Sequence, residues 1–575
     1  NSFAFEVDEG DYTDPPATYS VHGDMRTIIA ESKMSIHPVT GVVSTAAGRL
    51  YGFLVVSAGT GSTSMTVHDN ASAGSGTVLR SVIAAELVRG AWVYCGSTGL
   101  AASNGIHVTL AGTTKPIVLA VFEGEYPTIA HSGTLIHIDG TDGNDAWDGT
   151  TEAFVSGTTG PRRSWTTAYN SGDWHLKLKR GTTIDITDSS VNMTGTDWLV
   201  EDYGDPEAAK PVLQQSAAKT SPFAFTAGAA GVIEVRNVRL VSLASGRKNG
   251  GGWTIREARA VLRGCESHNF TDGIGIGGSY SVVDDCTVTG SVNAGPDGDN
   301  DYAAPNYSLF MNSDMTADAD VYSLHNGTGT GTGNVCIGTV LTVDPASPSG
   351  TAENCADINT QFAETMIAFC TINGNNVNTA KAIGADDDAD GVALIANLVN
   401  CGSAAGIQVR SPNWTLTGNV VKTVGTTIYG AACVVFDQGN SGGHGCSNAK
   451  LYGNYFYMNA ASTKPMLAWT FASDGDMRNN LLVSVNATQR ILDMGSTAVS
   501  GWGAGKWSHN DYWAPGITNT TTFANIVGGG GAQRLSTFSA SYAGGSELNI
   551  DPDLDADYRP PADSALIGAG TNVGV

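Results

Sequence analysis

A chain of 575 residues exceeds what one ordinary hydrophobic core serves, so it folds as several domains or as one elongated repeat domain. Its 30 basic and 55 acidic residues give a formal charge of −25, which repels nucleic acid and anionic membranes at long range. No apolar run reaches the roughly 18 residues a spanning helix needs, so neither nucleic acid nor membrane insertion is expected. Nine cysteines, an odd number, show no CxxC or His-spaced zinc pattern. The sequence opens at Asn1 without Met and without a basic-then-apolar leader, which fits a processed or incompletely recorded start.

Residues 1–25 are polar, with Asp8, Glu9, Asp11 and Pro15-Pro16, and read as an extended arm. From 26 to 130 short alternating runs appear, among them Tyr51-Gly-Phe-Leu-Val-Val56, Met65-Thr-Val-His68, Trp92-Val-Tyr-Cys95 and Pro116-Ile-Val-Leu-Ala-Val-Phe122, separated by Gly, Ser, Asn and Thr. Six or more strands at this spacing make a small antiparallel β-sandwich, jelly-roll-like in kind.

Beyond residue 131 one phrase repeats: an apolar residue followed three positions later by Asn or Cys. The copies end at Cys265, Cys286, Cys370, Asn397, Asn419, Asn454, Asn480 and Asn510, and most carry another apolar residue two positions further on, as in Val288, Ile372, Val399, Val421, Phe456, Leu482 and Tyr512. The steps are 21, 84, 27, 22, 35, 26 and 30 residues, all but one the length of a single solenoid coil. Richness in Val, Ile, Thr, Asn and Gly, with few Glu or Lys and no helix caps, favours strands over helix pairs. Equivalent positions then stack about 4.8 Å apart on successive coils. An Asn at the turn can bond to the Asn above and below it, and Cys, small enough to be buried, fills the same slot early in the series.

These phrases resemble the asparagine-ladder turns of right-handed parallel β-helix proteins, the pectate-lyase-like superfamily. The chain is thus read as all-β, a right-handed parallel β-helix over 131–525 with the sandwich at its N-terminal side. The opening words Ile136-His-Ile-Asp-Gly140, Gly143-Asn-Asp-Ala-Trp-Asp-Gly149 and Leu176-Lys-Leu-Lys-Arg-Gly181 look like the first coils of secreted and phage β-helix proteins. The 84-residue step predicts a lateral loop insertion at about 291–354. The tail, with Ile550-Asp-Pro-Asp-Leu-Asp-Ala-Asp-Tyr-Arg-Pro560, resembles the terminal segment of the same superfamily, and 526–575 is read as a cap over the last strand edges.

Lining up the coils places Asp386, Arg410 and Asp437 after equivalent strands. Carboxylates two rungs apart stand about 9.6 Å from each other at the backbone, and rotamers bring them within the roughly 6.5–9.5 Å used by inverting glycosidases. A self-neutralising salt ladder is the competing reading. Lys381 and Arg410 admit a lyase reading as well, which the acidic composition disfavours. Tyr302, Tyr307 and Trp414 offer flat faces to sugars, set against simple packing. Asp297, Asp299 and Asp301 alternate as in the opening of a Ca2+ loop, without the bidentate Glu that completes one; no other cofactor is called for.

The phrases Arg49-Leu-Tyr-Gly52, Val67-His-Asp-Asn-Ala-Ser-Ala-Gly74 and Asn104-Gly-Ile-His-Val-Thr-Leu-Ala-Gly112 resemble small β-domains of tailed-phage virion proteins. Arm, sandwich and capped β-helix in that order resemble a tailspike or head spike. The resemblance implies a homotrimer on a virion, joined to other virion proteins through its N-terminal domain and meeting a cell-surface polysaccharide with its β-helix. The alternatives are a secreted polysaccharide-degrading hydrolase or lyase and a surface adhesion module.

Overall fold

The structure, a computed structural model, describes most of residues 29–551. Outside it lie residues 1–28, which include the predicted arm, residues 552–575, and shorter internal intervals, the longest being 292–304, 496–506 and 535–546. The regular elements among the described residues are strands. None is a helix long and apolar enough to cross a membrane. The fold is a right-handed parallel β-helix with a small antiparallel β-sandwich. Two compact units divide the chain: Asn1–Thr128 together with Ala363–Val575, and Ile129–Phe362.

In the Ile129–Phe362 unit, parallel strands stack in two long runs. The first run places Ile136, Leu176, Val200, Val235, Leu262, Val283, Phe310 and Cys336 in one file, each opposite the next and all buried. The second does the same with Ile184, Leu213, Leu240, Ser267, Val288, Met315 and Leu341. Alternation does the sorting: every second side chain enters the coil and its neighbours face out. Between the two runs the chain bends at a residue with left-handed backbone, namely Asn237, Gly264, Asp285, Asn312 and Gly338 on successive coils. Asn and Gly tolerate that conformation best, which is why they recur there.

The expected lateral loop is corrected by this unit. The interval 291–354 contains the strands Leu309–Met311, Asp314–Ala317, Val335–Ile337 and Val340–Val343, which continue both runs as ordinary coils. The turn slot is held by Ser313 and Thr339, so the long step resolves into steps of 27, 26 and 31 residues. Ser313 takes part of the Asn role, its Oγ donating to Met311 O at 2.8 Å and accepting from Cys286 N at 3.1 Å, while Thr339 Oγ1 donates to Ile337 O at 3.2 Å.

In the other unit the same construction runs through Ile367, Leu394, Leu416, Leu451, Met477 and Trp507, and through Ile372, Val399, Val421, Phe456, Leu482 and Tyr512. The ladder is continuous from Cys370 N, which donates to Asn397 Oδ1 at 2.9 Å. Asn397, Asn419 and Asn454 each give their backbone N–H and side-chain Nδ2 to the Oδ1 of the next Asn at 2.9–3.0 Å. A third run, ending Leu492–Gly495 and Thr522–Val527, is closed by the antiparallel strand Gly531–Arg534, which covers the last parallel edge.

The sandwich pairs Lys33–His37, Ile117–Glu123, Gly48–Ser57 and Trp92–Tyr94 in one antiparallel sheet, and Gly41–Ser44, Ile106–Ala111, Ser64–Asp69 and Thr77–Ile83 in the other. Its core, with Leu50, Phe53, Val55, Met65, Val67, Val108, Leu110, Val118 and Phe122, draws alternate residues from both sheets. Each large side chain so buried contributes about 1.5–3 kcal/mol.

Candidate functional site

The strands leading into the predicted acid–base column stack in register: Ile383 lies opposite Ile407, and Val409 opposite Phe436. Arg410 follows its strand partly buried. Asp386 and Asp437 lie outside the described residues, as do Tyr302, Asp297, Asp299 and Asp301. Among the described residues no group of three or more His, Cys, Asp or Glu is placed to hold a metal. Trp414 is corrected from sugar platform to packing: it is 0% exposed, and its indole N–H donates to Ala389 O at 3.1 Å and Ser411 Oγ at 2.9 Å. A ring sealed on both faces cannot stack on a ligand.

Charged chemistry instead gathers on the outer face of the first strand run of the Ile129–Phe362 unit. His137, Lys177 and Glu201 are matched across three strands, and Arg236 and Arg263 across two more. Glu234, 0% exposed, is the hub: His131 Nε2 stands 3.0 Å from Oε2, and Arg236 Nε and Arg263 Nη1 donate to Oε1 at 2.8 and 3.3 Å. His131 Nδ1 also meets Asp197 Oδ1 at 2.6 Å, and Ser132 donates its N–H and Oγ–H to Asp197 Oδ2. The segment that enters the first coil is thereby strapped across the sheet. Beside it His175 Nε2 lies 2.8 Å from Glu201 Oε1, with Arg236 Nη1 3.5 Å from Oε2.

Burial pushes the Glu234 carboxyl up, but the hydrogen bonds from Arg236 and His131 and the Arg236 and Arg263 charges outweigh it and hold the group below its ordinary range. The His175 hydrogen bond, against desolvation, does the same for Glu201. Both stay ionised at neutral pH. The strip therefore holds fixed charges, with Glu234 itself sealed beneath its partners, rather than a proton donor of raised pKa.

Next to this strip stands an aromatic step. Val261, Val282 and Leu309 are matched across three coils, and the residues two places ahead of them are Arg259, Tyr280 and Tyr307. The Tyr280 and Tyr307 rings lie 5.4 Å apart with planes tilted by 30°. Tyr280 is 43% exposed, and Arg259 Nε donates to its carbonyl at 3.0 Å. Both tyrosines have left-handed backbone, φ 60° and 56°, which is costly for a bulky residue. Of these residues the sequence singles out Tyr307 alone. Tyr280, Arg259 and the Glu234 cluster were missed because the repeat was read from its Asn and Cys slots; extending it back to Val235 would have aligned Arg236 with Arg263.

No protein-family model and no curated protein sequence matches the chain. Among solved structures it is similar to the Dettilon tailspike protein, at 11% identity and a TM-score of 0.36, over 56% of this chain and 62% of that one. It is similar also to the catalytic domain of a GH87 alpha-1,3-glucanase in complex with tetrasaccharides, at 11% identity and a TM-score of 0.35, over 87% and 88%. A third is a mannuronic acid specific polysaccharide family 6 lyase from human gut microbiota, at 10% identity and a TM-score of 0.34, over 63% and 87%. The functional reading is accordingly built on the chain's own residues.

Proposed function

We propose that the chain is a virion spike of a tailed phage or phage-like particle and that it binds host cell-surface polysaccharide on the outer face of its first strand run. The observation that carries this reading is the Tyr280–Tyr307 step beside Arg259, rising along the coil axis next to a strip of fixed charges. The tilted tyrosine pair gives the apolar face of a sugar ring a surface, and guanidinium and carboxylate groups beside it satisfy hydroxyls. The order of sandwich and β-helix supports the spike assignment, with the sandwich docking on the particle and three copies forming the spike. Tyr280→Ala and Tyr307→Ala are each expected to weaken binding to purified bacterial surface polysaccharides about tenfold, on the order of 1.4 kcal/mol. Calorimetric titration that shows undiminished binding in both variants overturns the assignment.

A second reading, a polysaccharide-degrading enzyme that uses Asp386, Arg410 and Asp437, is favoured by the in-register stacking of the strands Lys381–Ala385, Ile407–Val409 and Val434–Phe436, which these residues follow in the sequence. In that reading one carboxyl protonates the leaving oxygen and the other activates water. Mass analysis of polysaccharide incubated with the chain is expected to show shortened products, lost in Asp386→Asn and in Asp437→Asn. Unshortened polysaccharide, or cleavage retained in both variants, eliminates the pair.

A further inference from the structure

On one turn of the Ala363–Val575 coils, four successive positions share left-handed backbone: Glu364, Gly391, Asn413 and Asn448, with φ 53°, 68°, 60° and 56°. They stack through backbone bonds, Glu364 N to Asp390 O at 2.9 Å, Gly391 N to Pro412 O at 3.1 Å and Asn413 N to Ser447 O at 2.9 Å. Side chains link the column as well: Asn448 Nδ2 donates to Asn413 Oδ1 at 2.7 Å, and Asn413 Nδ2 to Asp390 Oδ1 at 2.8 Å. Only at Gly391 is there no side chain in this column, and the gap is filled from outside it. A Cβ built on Gly391 would collide with Arg89 Nη1, the guanidinium of a turn in the sandwich of the same unit. Glu364 and Asp390 are the charges that face Arg89, and Ser57 Oγ of the sandwich donates to Glu364 Oε1 at 3.1 Å. Arg89 Nε and Nη2 are sealed from solvent and meet no hydrogen-bond partner among the described residues, and burial lowers the guanidinium against the opposing Glu364 and Asp390 charges.

We infer that Gly391, Glu364 and Asp390 form a guanidinium socket on the solenoid and that Arg89 is its plug, fixing the sandwich to the coil wall. Taking a guanidinium out of water is costly, and the socket offsets part of that cost with two carboxylate charges and a missing side chain at the one place where the column can admit it. The contact is thus electrostatic and steric at once. It holds the surface around Ser57 and Arg89 on the coil instead of leaving it free.

Two variants test the plug without disturbing the coil. Arg89→Ala removes the cation. Gly391→Asn fills the notch with the residue that already occupies the equivalent left-handed positions 413 and 448 and that tolerates this backbone best after glycine. Hydrogen exchange of the full chain, read by mass spectrometry, is expected to run about tenfold faster in peptides covering 83–91 and 363–366 in both variants. Peptides covering Leu451, Met477 and the Asn480 turn are expected to be unchanged, which certifies the fold. Raising salt from low to high is expected to speed the same two peptides in the parent chain and to leave them unaltered in Arg89→Ala. Unchanged exchange at 83–91 and 363–366 in both variants overturns the inference.

Discussion

Replacing Asn454 by alanine is expected to cost about 3–6 kcal/mol of stability, read as a shift in the denaturant midpoint or a faster unfolding rate. Asn454 is 0% exposed and its amide closes four bonds at once. Its Oδ1 accepts from Asn419 N at 3.0 Å and Asn419 Nδ2 at 2.9 Å, and its Nδ2 donates to Leu416 O at 2.8 Å and Asn480 Oδ1 at 2.9 Å. Alanine leaves the Asn419 backbone N–H without an acceptor, strips Leu416 O of its donor and opens a gap that is too dry for water to repair. The comparison that isolates the effect is Asn400→Ala. Asn400 stacks on the outer face with a single bond, Nδ2 to Asn373 Oδ1 at 2.9 Å, in partial contact with solvent. Water replaces that bond, so a loss below about 1 kcal/mol is expected there. Equal losses at 454 and 400 would show that the ladder contributes packing alone.

The ladder also explains what could be read in advance and what could not. Asn397, Asn419, Asn454, Asn480 and Asn510 announce themselves because a buried amide that must both give and take bonds tolerates few substitutes, and the spacing between them is the coil. Ser313 and Thr339 hold the same slot with one hydroxyl each, a residue type found everywhere on a protein surface, so their coils passed for a loop. Burial of Trp414 was equally invisible. Its fate depends on Ala389 O and Ser411 Oγ, which approach it only once the coils are stacked. The Glu234 cluster joins His131 to a residue 103 positions away, and no local spacing encodes such a pair. Strand alternation fixes which face a side chain takes; which partners it meets on the outer face depends on coil lengths.

At the far end of the ladder the partner changes, and with it the response to pH. Among the described residues no further Asn follows Asn510 in the ladder; its backbone N–H donates to Glu547 Oε2 at 3.1 Å and its Nδ2 to Oε1 at 3.4 Å. Leu548, the next residue, bridges to Asp511, and Trp507 Nε1 donates to the Tyr512 hydroxyl at 2.7 Å beside the carboxyl. Burial, reinforced by the Asp511 charge and opposed by the Asn510 and Tyr512 hydrogen bonds, pushes the Glu547 carboxyl up from 4.5 to about 8. Below pH 4.5 the group is protonated in the folded and unfolded chain alike. Between that point and about pH 8 the folded chain holds a proton that the unfolded chain has released, so stability falls as pH rises and levels off above it. The loss is on the order of a few kcal/mol. Glu547→Gln offers one amide oxygen to both Asn510 donors, as Asn510 Oδ1 itself does for Asn480, and carries no charge to desolvate. Its thermal midpoint is expected to exceed that of the parent chain at pH 9 and to match it at pH 4.5, with the decline between them removed. Glu547→Ala takes the acceptor away altogether and is expected to cost about 2–4 kcal/mol at pH 4.5, a deficit that narrows toward pH 8 because the variant has no carboxyl left to ionise. A Gln variant whose midpoint falls with pH as steeply as the parent's would place the titrating group elsewhere and leave Glu547 a plain end cap.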